Sequence, residues 1–116
     1  MIKDLVERQR EFYNTNATLS YEFRKHALEK LYEGVKKHEE AIKAALFIDL
    51  NKASGEAYLS EIGVTLKEIR YLLKHLRKLM KNQKRKTEIT NFPAKSFVSP
   101  HPYGVTLIMS PWNYPI

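Results

Sequence analysis

Apolar side chains recur at three- and four-residue spacing through roughly the first 80 residues, the signature of amphipathic helices packed along one face. Ile2, Leu5, Val6, Gln9, Phe12 and Tyr13 mark one face of a first helix of about three turns. It should fade at Asn14-Thr15-Asn16, whose side chains compete with the helical backbone for hydrogen bonds. Ser20 is placed to cap a second helix whose inward stripe is Phe23, Ala27, Leu28, Leu31 and Val35. Gly34 and Lys36-Lys37-His38 suit its C-terminal end. Glu39 and Glu40 open a third helix carrying Ile42, Ala45, Leu46 and Asp49, with Asn51 as its stop. Ser54-Gly55 opens a long fourth helix, with Leu59, Ile62, Leu66, Ile69, Leu73 and Leu76 inward, reaching Lys81 or Asn82.

Beyond residue 82 the helical period is lost, and prolines and β-formers arrive. Lys86 to Phe92 is a weak strand candidate, Ser96 to Ser99 a better one, and the apolar run Val105 to Met109 the best. Pro102-Tyr103-Gly104 supplies a turn between the last two. The expected fold class is mainly α with a C-terminal β-hairpin. A strand apolar on both faces needs sheet neighbours that these residues do not include, so the sequence reads as one cut off from the rest of its sheet.

Composition narrows the field. The 116 residues carry 20 Lys+Arg against 13 Asp+Glu, a net charge of +7, and that excess sits between Lys67 and Lys86, where nine bases face one acid, Glu68. Clustered bases release counterions from a polyanion, so one reading is a non-catalytic helical interaction module that binds a polyanion through this face. The plainer reading is a solvated helix face, because Leu66, Ile69, Leu73 and Leu76 fill the other side of the same stretch. The absence of cysteine excludes disulfides, thiolate metal sites and a cysteine nucleophile within these residues. The charged start, Met1-Ile2-Lys3-Asp4, is unlike a signal peptide, and the longest apolar run, Ala44 to Ile48, is far below the roughly 20 residues of a membrane span. A cytoplasmic protein without a membrane segment is the expectation.

Little in the chain carries chemistry by pattern alone. Gly34, Gly55, Gly63 and Gly104 are not spaced to cradle a phosphate, and His26, His38, His75 and His101 are scattered without metal-ligand spacing, so no metal site is expected. What stands out is the stretch from Pro102 to Pro115. There an apolar strand delivers Asn113 into a loop bounded by Pro111 and Pro115, with Trp112 and Tyr114 available to wedge it. An amide held still donates without charge to a developing oxyanion, and loss of one such donor costs about 3 to 4 kcal/mol of barrier. The alternative is an Asn in a turn bonding its own backbone, beside core aromatics.

Pro102-Tyr103-Gly104-Val105, leading through the apolar run to Pro111-Trp112-Asn113-Tyr114-Pro115, resembles the corresponding motif of the NAD(P)-dependent aldehyde dehydrogenases. The upstream pattern agrees: Arg24, Leu28 and Leu31, then Ala45-Leu46, Asp49-Leu50-Asn51-Lys52, and Glu56-Ala57-Tyr58 with Glu61-Ile62. The likeness is strongest to the class-three and fatty-aldehyde branch, with its short N-terminus and a Tyr after the motif Asn. It implies the N-terminal part of the family's α/β, Rossmann-like fold, with residues 1–82 as the helical part of the cofactor-binding domain. Residues 83–103 would be extended bridging strands that pair in a homodimer, and residues 104–116 the first core strand and its loop.

The resemblance further implies that Asn113 is the oxyanion-hole residue, donating to the carbonyl oxygen of a small-molecule aldehyde. Met109, Ser110, Pro111 and Trp112 would line the cleft for NAD or NADP, and Tyr114 would border the substrate channel. In the family a cysteine forms a thiohemiacetal, hydride passes to the nicotinamide, and a glutamate-activated water hydrolyses the thioester. That cysteine, the catalytic glutamate and the cofactor-binding lysine have no counterparts in residues 1–116, so the chain alone is expected to be inactive. Nucleic acid is not an expected partner.

Overall fold

The structure, a computed structural model, describes residues 1–116. Five α-helices precede a short hairpin: α1 (Ile2–Asn14), α2 (Tyr21–Lys37), α3 (Glu39–Leu50), α4 (Ser54–Ala57), α5 (Gly63–Leu79), β1 (Gln83–Arg85) and β2 (Ser96–Val98). The helix ends follow local chemistry. The Ser20 Oγ accepts from the Phe23 N–H at 3.1 Å and so caps α2. Asn51 ends α3 in the left-handed region, φ 53°, which Asn tolerates better than other side chains. Asn16, φ 62°, does the same between α1 and α2.

The buried core is small: Leu46 on α3, Ala57 on α4, Ile62 in the turn after it, and Leu66, Ile69 and Leu76 on α5. The expected long fourth helix is interrupted by a π-helical turn, Tyr58–Ile62, between α4 and α5. A π turn holds more residues than an α turn, so it shifts the phase of the apolar stripe. Ile62, Leu66, Ile69 and Leu76 face inward as their spacing requires, but Leu59 is thrown out to 76 % exposure and Ala57 takes the inner position. The stripe expected on α2 is likewise less covered: Leu28 and Val35 are half-buried while Phe23, Ala27 and Leu31 are exposed. α2 packs instead on α5 through paired aromatic and basic groups. Arg70 Nε donates to the Tyr32 hydroxyl at 2.9 Å, and the Arg77 guanidinium lies 4.1 Å from the Tyr21 ring centroid.

The strand expected at Ser96 to Ser99 is present as β2, whereas the other two expected strands are not. β1 pairs antiparallel with β2, Gln83 opposite Val98 and Arg85 opposite Ser96. The stretch from Lys86 to Phe92 is not a strand; it contains a 3-10 turn, Ile89–Asn91. Nor is Val105 to Met109 a strand: Leu107, Ile108 and Met109 are more than 80 % exposed. A segment that pairs with no neighbouring strand has no ladder to join. No turn forms at Pro102-Tyr103-Gly104, only a bend at Val105; Gly104 takes φ +90°, a conformation costly for any residue with a Cβ, and lies beside the Tyr13 ring of α1. The radius of gyration, 19.5 Å, exceeds the roughly 13 Å of a compact domain of this length, as the exposed apolar residues require. No helix is long and apolar enough to cross a membrane.

Candidate active-site loop

The loop that carries Asn113 is closed by its own turn, with the Tyr114 N–H donating to the Pro111 carbonyl at 3.1 Å. Its position comes from elsewhere in the chain. The left-handed Asn51 reverses the chain at the end of α3, and the next N–H, that of Lys52, reaches back to the Leu46 carbonyl at 3.3 Å. This directs Lys52 into the core, where it is 8 % exposed. From the other side the π turn brings Glu61 inward to 2 % exposure, and the two side chains form an ion pair.

Each partner also grips the loop. Lys52 Nζ donates to the Asn113 main-chain carbonyl at 2.6 Å and sits 4.0 Å from the Tyr114 ring centroid. Glu61 Oε2 accepts from the Ile116 N–H at 3.1 Å while Oε1 takes the lysine. A buried ion pair is tolerated when its remaining donors and acceptors are satisfied, and here no buried side-chain polar atom lacks a partner. Two residues with no motif spacing thus reach the loop from 61 and 55 positions away. Lys52 and Glu61 belong to the upstream pattern quoted above, but nothing in their spacing marks them as a pair.

Asn113 is exposed, and its side-chain amide makes no hydrogen bond within the chain; it is the main chain, not the amide, that closes the turn. Met109, Ser110, Pro111 and Trp112 form one exposed edge leading into the loop, with Trp112 at 94 % exposure rather than wedged into it. Tyr114, 46 % exposed, is the aromatic that packs, against Lys52. The edge offers apolar surface and one hydroxyl, with no basic group or glycine turn for a phosphate. Its chemistry fits one wall against a flat ring and not a pyrophosphate cradle. A groove of about 880 Å³ lies away from this loop, between α1, α2, α5 and residues 102–106. His75 is bonded locally, its Nδ1 2.8 Å from the Tyr71 carbonyl, and no three His, Asp or Glu side chains converge. Of the basic run, Arg70 and Arg77 are spent on Tyr32 and Tyr21 of α2.

Comparison with known proteins agrees along the whole chain. Residues 1–116 match the aldehyde dehydrogenase family, and the chain belongs to it. It is 42 % identical over 104 residues to the 4,4'-diaponeurosporen-aldehyde dehydrogenase of Staphylococcus aureus, covering 90 % of this chain and 23 % of that protein. With aldehyde dehydrogenase family 3 member F1 of Arabidopsis thaliana it shares 36 % identity, covering 99 % of this chain and 24 % of that one. The solved substrate-bound state of Staphylococcus aureus AldH superposes with a TM-score of 0.87 at 38 % identity, over 89 % of this chain and 22 % of its own. The chain therefore spans about a quarter of the length of the curated relatives it matches.

Proposed function

We propose that these residues form the N-terminal quarter of an NAD(P)-dependent aldehyde dehydrogenase, in which the Asn113 side-chain amide donates to the aldehyde carbonyl oxygen as negative charge develops there. The observation that carries this reading is an exposed Asn whose amide is unbonded while its main chain is pinned, in a chain of this family. A donor that needs no rearrangement at the moment of reaction is what an oxyanion hole requires. When bound, the nicotinamide cofactor accepts a hydride from the substrate. Met109, Ser110, Pro111 and Trp112 would supply one wall of its cleft, and Tyr114 would border the path of the aldehyde. Residues 1–82 then belong to the helical part of the cofactor-binding domain, 83–103 to bridging strands of a homodimer, and 104–116 to the first core strand and its loop.

The test is Asn113→Ala in the intact enzyme. Turnover should fall about 100- to 1000-fold with the dissociation constant for NAD(P)⁺ unchanged. Unchanged turnover would remove the oxyanion assignment. The 116 residues by themselves should give no aldehyde-dependent reduction of NAD⁺ or NADP⁺, because a donor without nucleophile or bound cofactor has nothing to stabilise.

A further inference from the structure

The Lys52–Glu61 pair does something that its burial alone does not require. Filling the space between α3 and the π turn needs only volume, and apolar side chains of similar size do this at no desolvation cost. An apolar pair, however, cannot hold a main-chain carbonyl and a main-chain N–H. Both of those bonds go to the same short loop, at Asn113 and at Ile116, on either side of Pro115. The Tyr114 ring lies against the ammonium between them.

We propose that Lys52, locked in place by Glu61, is a positioning residue for Asn113. The lysine fixes the Asn113 carbonyl and the glutamate fixes the chain at Ile116. The Asn113 backbone is then held from behind, and its side-chain amide is left outward and unbonded. The π turn is part of the device, since it turns Glu61 into the interior. This proposal rests on the oxyanion reading of Asn113 for its kinetic consequence, but not for its structural one.

The experiment uses the intact enzyme and the double variant Lys52→Met/Glu61→Gln. This variant removes both charges together, leaves no unpaired ion to unfold the protein, and keeps a carbonyl that can accept from Ile116. A crystal structure of it should show the Asn113 backbone displaced by about 1 Å or more, and turnover should drop about 100-fold, the usual consequence of a misplacement of that size. Introduced together with Asn113→Ala, it should cause no further loss, because both changes then remove the same interaction. A loop that does not move, or losses that multiply, overturns the proposal. If Asn113→Ala alone leaves turnover unchanged, the oxyanion reading is what fails, and displacement of the loop still decides whether the pair positions it.

Discussion

A Cβ on Gly63 would lie 2.9 Å from the carbonyl oxygen of Tyr58 and 3.3 Å from its ring, so the residue closing the π turn is in direct contact with the residue that opens it. The contact is with main chain, which cannot swing aside as a flexible side chain can. Gly63→Ala should therefore destabilise the protein by about 1–3 kcal/mol, as overpacking at a rigid site does. Gly34, inside α2, has nothing within 4 Å of its would-be Cβ, and Gly34→Ala should stabilise by up to about 1 kcal/mol through helix propensity. Urea unfolding of the two variants should move the midpoint in opposite directions. A neutral Gly63→Ala would mean that the turn adjusts freely.

The buried ion pair makes a sharper contrast. Lys52→Met alone leaves the Glu61 carboxylate buried without its cation, and should cost about 3–5 kcal/mol. Glu61→Gln in the same chain removes that stranded charge and should restore most of the loss. Thermal unfolding of the two single variants and the double variant checks this: losses that simply add would show that the charges do not interact.

Much of the helical part was legible because short-range chemistry decides it. Ser20 caps α2 and Asn51 ends α3 where their side chains fit those conformations, and Leu66, Ile69 and Leu76 keep their period because α5 is regular. Leu59 departs from the period because periodicity assumes a constant turn, and a π turn adds a residue without a composition signal. The apolar pattern of Val105 to Met109 fits a strand paired on both sides, but the segment joins no ladder, and Leu107, Ile108 and Met109 are exposed. The strand that does pair with Ser96–Val98 is Gln83–Arg85, too polar and short to show as a strand. Asn113 was legible through its proline-bounded motif, whereas Lys52 and Glu61 gave no sign of a pair, since contact across 55 to 61 positions is a property of the fold.

Ser20 offers a local check on α2. Its hydroxyl supplies the acceptor for Phe23 N–H, and Ser20→Ala should cost about 1 kcal/mol while Ser20→Asp should cost little. Because α2 packs on α5 through Tyr21, next to the cap, the loss should also appear as faster amide hydrogen exchange in the first turn of α2. Equal stability of both variants would show that the cap contributes nothing.

Lys43 provides the pH dependence. Its ammonium is hydrogen-bonded to Glu39, one turn earlier on α3, and to Glu40 at 3.0 Å, and it lies 5.6 Å from the Tyr58 ring centroid. The Glu39 bond, then the Glu40 bond, hold its pKa above the ordinary lysine value near 10.5, outweighing the opposing effect of desolvation. The folded state thus binds this proton more tightly than the unfolded chain does. The resulting stabilisation is complete below about pH 10.5 and is lost as the pH rises through the folded-state value. Lys43→Met should therefore melt below the unsubstituted protein at neutral pH, and the two melting temperatures should converge in strongly alkaline buffer. High salt at neutral pH should narrow the same gap, since the carboxylates are partly exposed and their attraction is screened. A gap that stays constant with pH would assign the effect of the substitution to packing against Tyr58 instead of to the two glutamates.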